Sequence, residues 1–267
     1  MNVIRFLATA TLLLAASTSH GAPYYLFDGD SNVAYELSTS TGTLTNTFNT
    51  FSLGYPAAIR TSIWLGGRDD TGATEYSLGG LATGNTSAGG GNFSQLLDGA
   101  TGTNGKNYGV ECCSATNSVT VANADWSGQA VLFNLSGDGA GIAFDPSDNT
   151  LFVTDFSGII THYNLVGGVL GTFNLGQVLI GLAFDQSTDT FWGFNRNTDN
   201  LVQFSRAGAM LSDLDIPGFN PSNPFGGEMA VTMAITNQVP EPASLALTLA
   251  ALGGLVITRR RKSQARA

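Results

Sequence analysis

The chain is poor in charge, histidine and cysteine. Only 12% of its 267 residues are Asp, Glu, Lys or Arg, about half of the ~25% usual for a soluble domain. With 43% hydrophobic residues it also falls outside the disordered class, which pairs low hydrophobicity with high charge. Basic residues are scarcest in the middle, where positions 23–238 hold Arg60, Arg68, Lys106, Arg196 and Arg206 against nineteen acids. Such a body cannot neutralise a phosphate backbone by counterion release, so nucleic acid is not an expected partner. Histidine occurs only as His20 and His162. A histidine metal site or a Ser-His-Asp triad would rest on His162 alone, which reads as an ordinary strand residue. The only cysteines, Cys112 and Cys113, are adjacent. Two neighbouring thiols cannot supply the four ligands of a structural zinc. In an oxidising exterior they can bond to each other or to another chain, and a local turn lock is the simpler reading.

What is present begins with the two ends. Arg5, the apolar run 6–16 and the small polar stretch 17–22 have the order of a secretory signal peptide, with cleavage expected after Gly21. The apolar run is too short for a span, which needs about 20 residues. At the other end Val239, Pro240, Glu241 and Pro242 precede an apolar segment at 243–257 and the basic cluster Arg259, Arg260, Arg261 and Lys262. That segment forms roughly 22 Å of helix against a hydrocarbon core of ~30 Å, a marginal permanent anchor. The basic cluster stays cytoplasmic and the leader sends the body to the opposite side, so both ends agree on one topology.

This tripartite end resembles the PEP-CTERM sorting signal of Gram-negative bacteria. The resemblance implies recognition by an exosortase near Pro240-Glu241-Pro242, transient anchoring in the inner membrane, and transfer to the cell surface or medium, typically in producers of extracellular polysaccharide. The Sec translocon and signal peptidase are the partners expected of the leader. The chain thus divides into a signal peptide at 1–21, an extracellular body at 22–238 and a sorting signal at 239–267.

The body shows no sustained 3.6-residue period; apolar clusters alternate with Gly, Asn, Asp, Ser and Thr, as short strands between tight turns do. Gly141-Ile-Ala-Phe-Asp145 recurs forty residues later as Gly181-Leu-Ala-Phe-Asp185, and the next two strands recur with it. A four-stranded unit of about 40 residues is one propeller blade. Partial copies at 24–53 and 227–235 are the two parts of one blade, with residues 228–235 closing the ring; Ala58, Ala143, Ala183 and Ala230 count as equivalent. The glycines of the 80–108 stretch argue for a long loop. The expected fold is all-β, a propeller-like body of about five blades, six if 60–140 divides differently, plus a C-terminal hydrophobic helix. The repeat at 137–210 resembles YVTN/NHL-type propellers, and its regular spacing contradicts a β-sandwich.

Few residues suggest chemistry. Asp28, Asp30 and Asn32 place oxygens at alternate positions, as a calcium loop does, but Val33 stands where an EF-hand needs Gly. The oxygen-rich stretches 145–149 and 185–189 read as hairpin turns. Trp64, Trp126 and Trp192 could stack on sugars if exposed, though blade packing uses the same residue types. No catalytic constellation and no cofactor are expected. The expected function is that of a non-enzymatic surface or matrix protein associated with extracellular polysaccharide; the alternative is a polysaccharide hydrolase or lyase using carboxylates at a propeller mouth.

Overall fold

A computed structural model describes residues 21–69, 71–89, 95–113 and 117–230. Residues 1–20 of the leader, Val239 to Pro242, the apolar segment and the basic cluster lie outside the described residues. Within them, four-residue-scale apolar clusters form strands that pair with their sequence neighbours. Blade 2 contains β4 (Gly54–Ile59), β5 (Ile63–Gly67), β6 (Ala73–Tyr76) and β7 (Ala82–Ser87). Blade 3 follows with β8 (Leu96–Thr101), β9 (Lys106–Glu111), β10 (Ser118–Asn123) and β11 (Ala130–Asn134). Blade 4 comprises β12 (Gly141–Asp145), β13 (Thr150–Thr154), β14 (Ile159–Asn164) and β15 (Val169–Asn174), and blade 5 comprises β16 (Leu179–Asp185), β17 (Thr190–Asn195), β18 (Asn200–Ser205) and β19 (Met210–Leu214). Blade 1 joins the two ends of the body: β20 (Gly226–Met229) pairs with β1 (Tyr24–Asp28), followed by β2 (Val33–Leu37) and β3 (Leu44–Asn49). The protein is therefore an all-β, five-bladed propeller closed by strands from opposite ends of the chain, which leaves no exposed edge at the seam.

Composition is graded from the axis outward. Every residue of the innermost strands β4, β8, β12, β16 and β20 is buried, whereas the rim strands β3, β7, β11, β15 and β19 are largely exposed, β3 and β7 being rich in Thr, Ser and Asn and β11, β15 and β19 exposing apolar side chains such as Val131, Leu170 and Leu211. Buried on both faces, an inner strand reads as a continuous apolar run, Gly-Ile-Ala-Phe or Leu-Ile-Gly-Leu-Ala-Phe, rather than an alternation. Close approach at the axis requires glycine at Gly227, where a Cβ would come 2.7 Å from the Gly181 backbone.

Two local expectations differ from the structure. The closing strand is Gly226–Met229, two residues earlier than the alanine alignment implies. Ile142, Leu182 and Gly227 are the true equivalents, because each donates its N–H to one acceptor, so Glu228 and not Ala230 occupies the position of Ala143 and Ala183. The glycine-rich 80–108 stretch is not one loop: it contains the rim strand β7 and the inner strand β8.

Candidate functional site

All five blades begin their inner strands at the same face, and there the described residues enclose a cavity of about 420 Å³. It is lined by Tyr55 and Arg68 of blade 2, Gln95, Leu97 and Cys113 of blade 3, Phe156 of blade 4, Arg196 of blade 5, and Asn223 and Phe225 just before β20. The volume lies in the range of ~300–1,000 Å³ typical of small-molecule sites. Phe225 stands edge-on to Tyr55 with ring centroids 5.7 Å apart and edge-on to Phe156 at 6.3 Å, forming an aromatic wall. The Arg196 guanidinium lies 5.0 Å over the Phe225 ring and its Nη2 donates to Asn223 Oδ1 at 3.3 Å. Arg68 donates from Nε to the exposed Asp69 at 3.1 Å, and that hydrogen bond raises its already high pKa. No Asp or Glu is among the lining residues.

The arginines reach one face for a topological reason. Arg68 and Arg196 each follow directly after the second strand of a blade, and each N–H bonds to the carbonyl just before the inner strand, Leu53 at 2.7 Å and Val178 at 3.1 Å. Cys112 does the same with Gln95 at 3.1 Å. These three are equivalent positions of the repeat, and the side chains at and beside them face the mouth. Their signal in the sequence was phase within the repeat, hidden because blades 2 and 3 both depart from the 141–210 pattern.

Beneath the cavity floor the axis is sealed by two carboxyl groups. Asp98, adjacent to the lining residue Leu97, accepts Gly227 N–H on Oδ1 at 2.8 Å and Ile142 and Leu182 N–H on Oδ2 at 2.7 and 2.8 Å. Burial pushes its pKa up to about 8, against the pull of those donors in the opposite direction. Glu228 accepts Thr101 N–H at 2.7 Å, while Thr101 Oγ1 accepts Ile59 N–H at 2.7 Å. Burial raises the pKa of Glu228 as well, with backbone donors opposing and the Asp98 charge adding to the rise. The Tyr24 hydroxyl closes the same layer by donating to the Gly181 carbonyl, and burial raises its pKa too. Perturbed acids often mark active sites. Here both are sealed from solvent and spent on backbone donors of blades 1, 3, 4 and 5, with blade 2 joined through Thr101 Oγ1, so they act as an axial clamp.

The residues singled out from the sequence lie elsewhere, with one exception. Asp28 accepts from the Ser222 and Asn223 N–H groups and from the Ser31 and Ser222 hydroxyls; despite a burial penalty these donors hold its pKa below the usual range. Asp30 accepts from Tyr55 Oη at 2.7 Å and Asn223 Nδ2 at 2.8 Å, so it holds two cavity residues in place. Asn32 takes the left-handed conformation of a turn, with φ 59°. The carboxylate oxygens of this loop are thus occupied by N–H and O–H donors, a set unlike calcium coordination. Cys112 and Cys113 are bonded to each other, with Cys113 at the cavity. Asp138 brings a third ligand atom within 4.8 Å, but bonded sulfurs offer no thiolate to a metal. His162 stacks on Phe152 at 4.1 Å and its Nε2 meets Thr150 Oγ1 at 2.7 Å within blade 4. Trp126 and Trp192 are buried and Trp64 is half-buried; none lines the cavity. The turns at 145–149 and 185–189 are closed locally, Asp145 and Asp185 each accepting a serine N–H two residues on at 2.9 Å.

Residues 238–262 match the family of the PEP-CTERM protein-sorting motif. The motif implies export and exosortase-dependent surface sorting in Gram-negative bacteria. No curated protein sequence matches the chain. Among solved structures, the chain is similar to one in a crystal structure of a nidogen/laminin complex, at 14% identity and TM-score 0.57, covering 79% of this chain and 99% of that one. It is also similar to a luciferin-regenerating enzyme, at 12% identity and TM-score 0.52, covering 78% of each. At such identities the likeness concerns the fold alone.

Proposed function

We propose that the body, delivered to the cell surface through its PEP-CTERM motif, is a non-enzymatic component of the extracellular matrix that binds polysaccharide at the propeller mouth. The observation that carries this reading is the lining of the cavity: an aromatic wall of Tyr55, Phe156 and Phe225 set beside the amides of Gln95 and Asn223 and two guanidinium groups. Aromatic faces stack on the apolar faces of sugar rings, and planar amide and guanidinium donors match ring hydroxyls. Polysaccharide cleavage by paired carboxylates needs an acid and a base within reach of one glycosidic bond, about 5–10 Å apart. The lining supplies neither, and the nearby Asp30 is held by Tyr55 and Asn223. On this reading the Sec translocon, signal peptidase and exosortase are partners in delivery, and the matrix polysaccharide is the partner at the destination.

The test is to incubate the full chain, purified in detergent, with extracellular polysaccharide from its host and follow both co-sedimentation and polymer length. Co-sedimentation with unchanged length is expected. Shortening of the polymer that disappears on Asp or Glu substitution would establish the hydrolase or lyase alternative instead.

A further inference from the structure

We infer that the mouth cavity takes a carboxylate-bearing sugar unit, a uronic acid, held by Arg196 and Arg68; this rests on the polysaccharide-binding reading above. The body has five basic residues against nineteen acids, yet two of the five converge on one cavity that no carboxylate lines. Such a concentration of positive charge inside an acidic protein selects for an anion. Arg196 is the stronger ligand, because among the described residues no carboxylate pairs with it and its guanidinium is already oriented by Phe225 and Asn223. A guanidinium offers two parallel N–H donors to the two oxygens of a carboxylate, a geometry an ammonium lacks. Arg68 is partly committed to Asp69, an exposed pair that contributes little and yields to a better-shielded partner.

The surrounding charge limits the form of the ligand. A long polyanion lying across the surface would meet the acids outside the cavity, repelled over a Debye length of ~8 Å at physiological salt. A single acidic residue that enters a volume of about 420 Å³ avoids that repulsion and presents its ring to the aromatic wall. The site thus fits on the order of one or two sugar rings with one buried carboxylate.

Calorimetry on the full chain in detergent, with digalacturonate, its neutral methyl ester and a sulfated neutral disaccharide, tests the inference. The acid is expected to bind about 10- to 100-fold more tightly than the ester, the range for hydrogen bonds to a charged group. Arg196→Gln should remove most of that preference and Arg68→Gln a smaller part. Lys106→Gln, which removes a charge outside the cavity, should change nothing. Should Arg196→Gln fail to fold, Arg196→Lys keeps the charge without the fork and is expected to give an intermediate preference. Equal binding of acid and ester overturns this inference and leaves the polysaccharide reading standing. Equal binding of the sulfated sugar overturns the carboxylate assignment. No binding by any of the three, together with no co-sedimentation of host polysaccharide, overturns both readings.

Discussion

At Asp98 one side chain does for three blades what no turn or ladder can do: it gives acceptors to backbone N–H groups that face the axis and have no strand partner there. The cost is the burial that pushes its pKa from the ordinary 3.8 up to about 8. The sign of the linkage follows. The folded state holds the proton more tightly than the unfolded chain, so the stability Asp98 contributes is complete below about pH 4 and is lost as pH rises towards 8. Asp98→Asn keeps the shape, loses the titration and turns an amide N–H₂ towards backbone donors, a loss of about 1–3 kcal/mol. The penalty for Asp98→Asn, measured by chemical denaturation of variant and parent at each pH, should therefore be largest at pH 5 and shrink by pH 8. A penalty that grows with pH would mean that the donors win over burial and the ionised form is the stable one. Nothing in the sequence marked Asp98, because Leu-Leu-Asp-Gly-Ala-Thr departs from the Gly-Ile-Ala-Phe-Asp pattern that identified the other inner strands.

Between elements, the best-defined link joins the first hairpins of blades 4 and 5. Arg206 donates from Nη2 to Asp145 at 2.9 Å, pairs with Asp189 at 2.7 Å, and lies 4.9 Å over the Phe184 ring. Asp145 is fully buried, so Arg206→Ala would strand its charge. Partial exposure of the arginine moderates the effect. A destabilisation of about 1–3 kcal/mol is expected in denaturant unfolding, and a cost within about 0.5 kcal/mol would reduce the bridge to a surface pair. Asp145 and Asp185 were legible as turn residues because their spacing repeats, but Arg206 was not, since an interblade partner sits some sixty positions away and leaves no local pattern. The same contrast governs the whole fold. Blades 4 and 5 could be read from one forty-residue repeat, and ring closure from the unmatched half-blades at the two ends. The register of the closing strand could not, because it depends on which N–H reaches Asp98 across the axis. Likewise the cavity was invisible as a set: Tyr55, Arg68, Phe156, Arg196 and Phe225 are far apart in sequence and share only their phase within each blade.

Over the whole molecule, charge is sorted by fate. Of eleven basic residues, five lie in the last nine positions, four of them inside the PEP-CTERM match at 238–262, while the nineteen acids between 23 and 238 belong to the exported part. On the proposed delivery route the tail arginines serve topology, because positive charge resists export, whereas Arg68 and Arg196 line the cavity. Sorting and folding are therefore separable in the sequence. The propeller closes at Met229, nine residues before the matched motif begins, and Pro240 and Pro242 cannot donate to a strand or sustain a helix. A chain with Pro240, Glu241 and Pro242 all replaced by alanine should fold its body unchanged and remain in the inner-membrane fraction, held by the unprocessed segment, instead of reaching the surface or medium. Fractionation with antibody to the body reads this directly: undiminished release of the variant would refute sorting through these three residues, and loss of the protein from every fraction would refute the independence of the body.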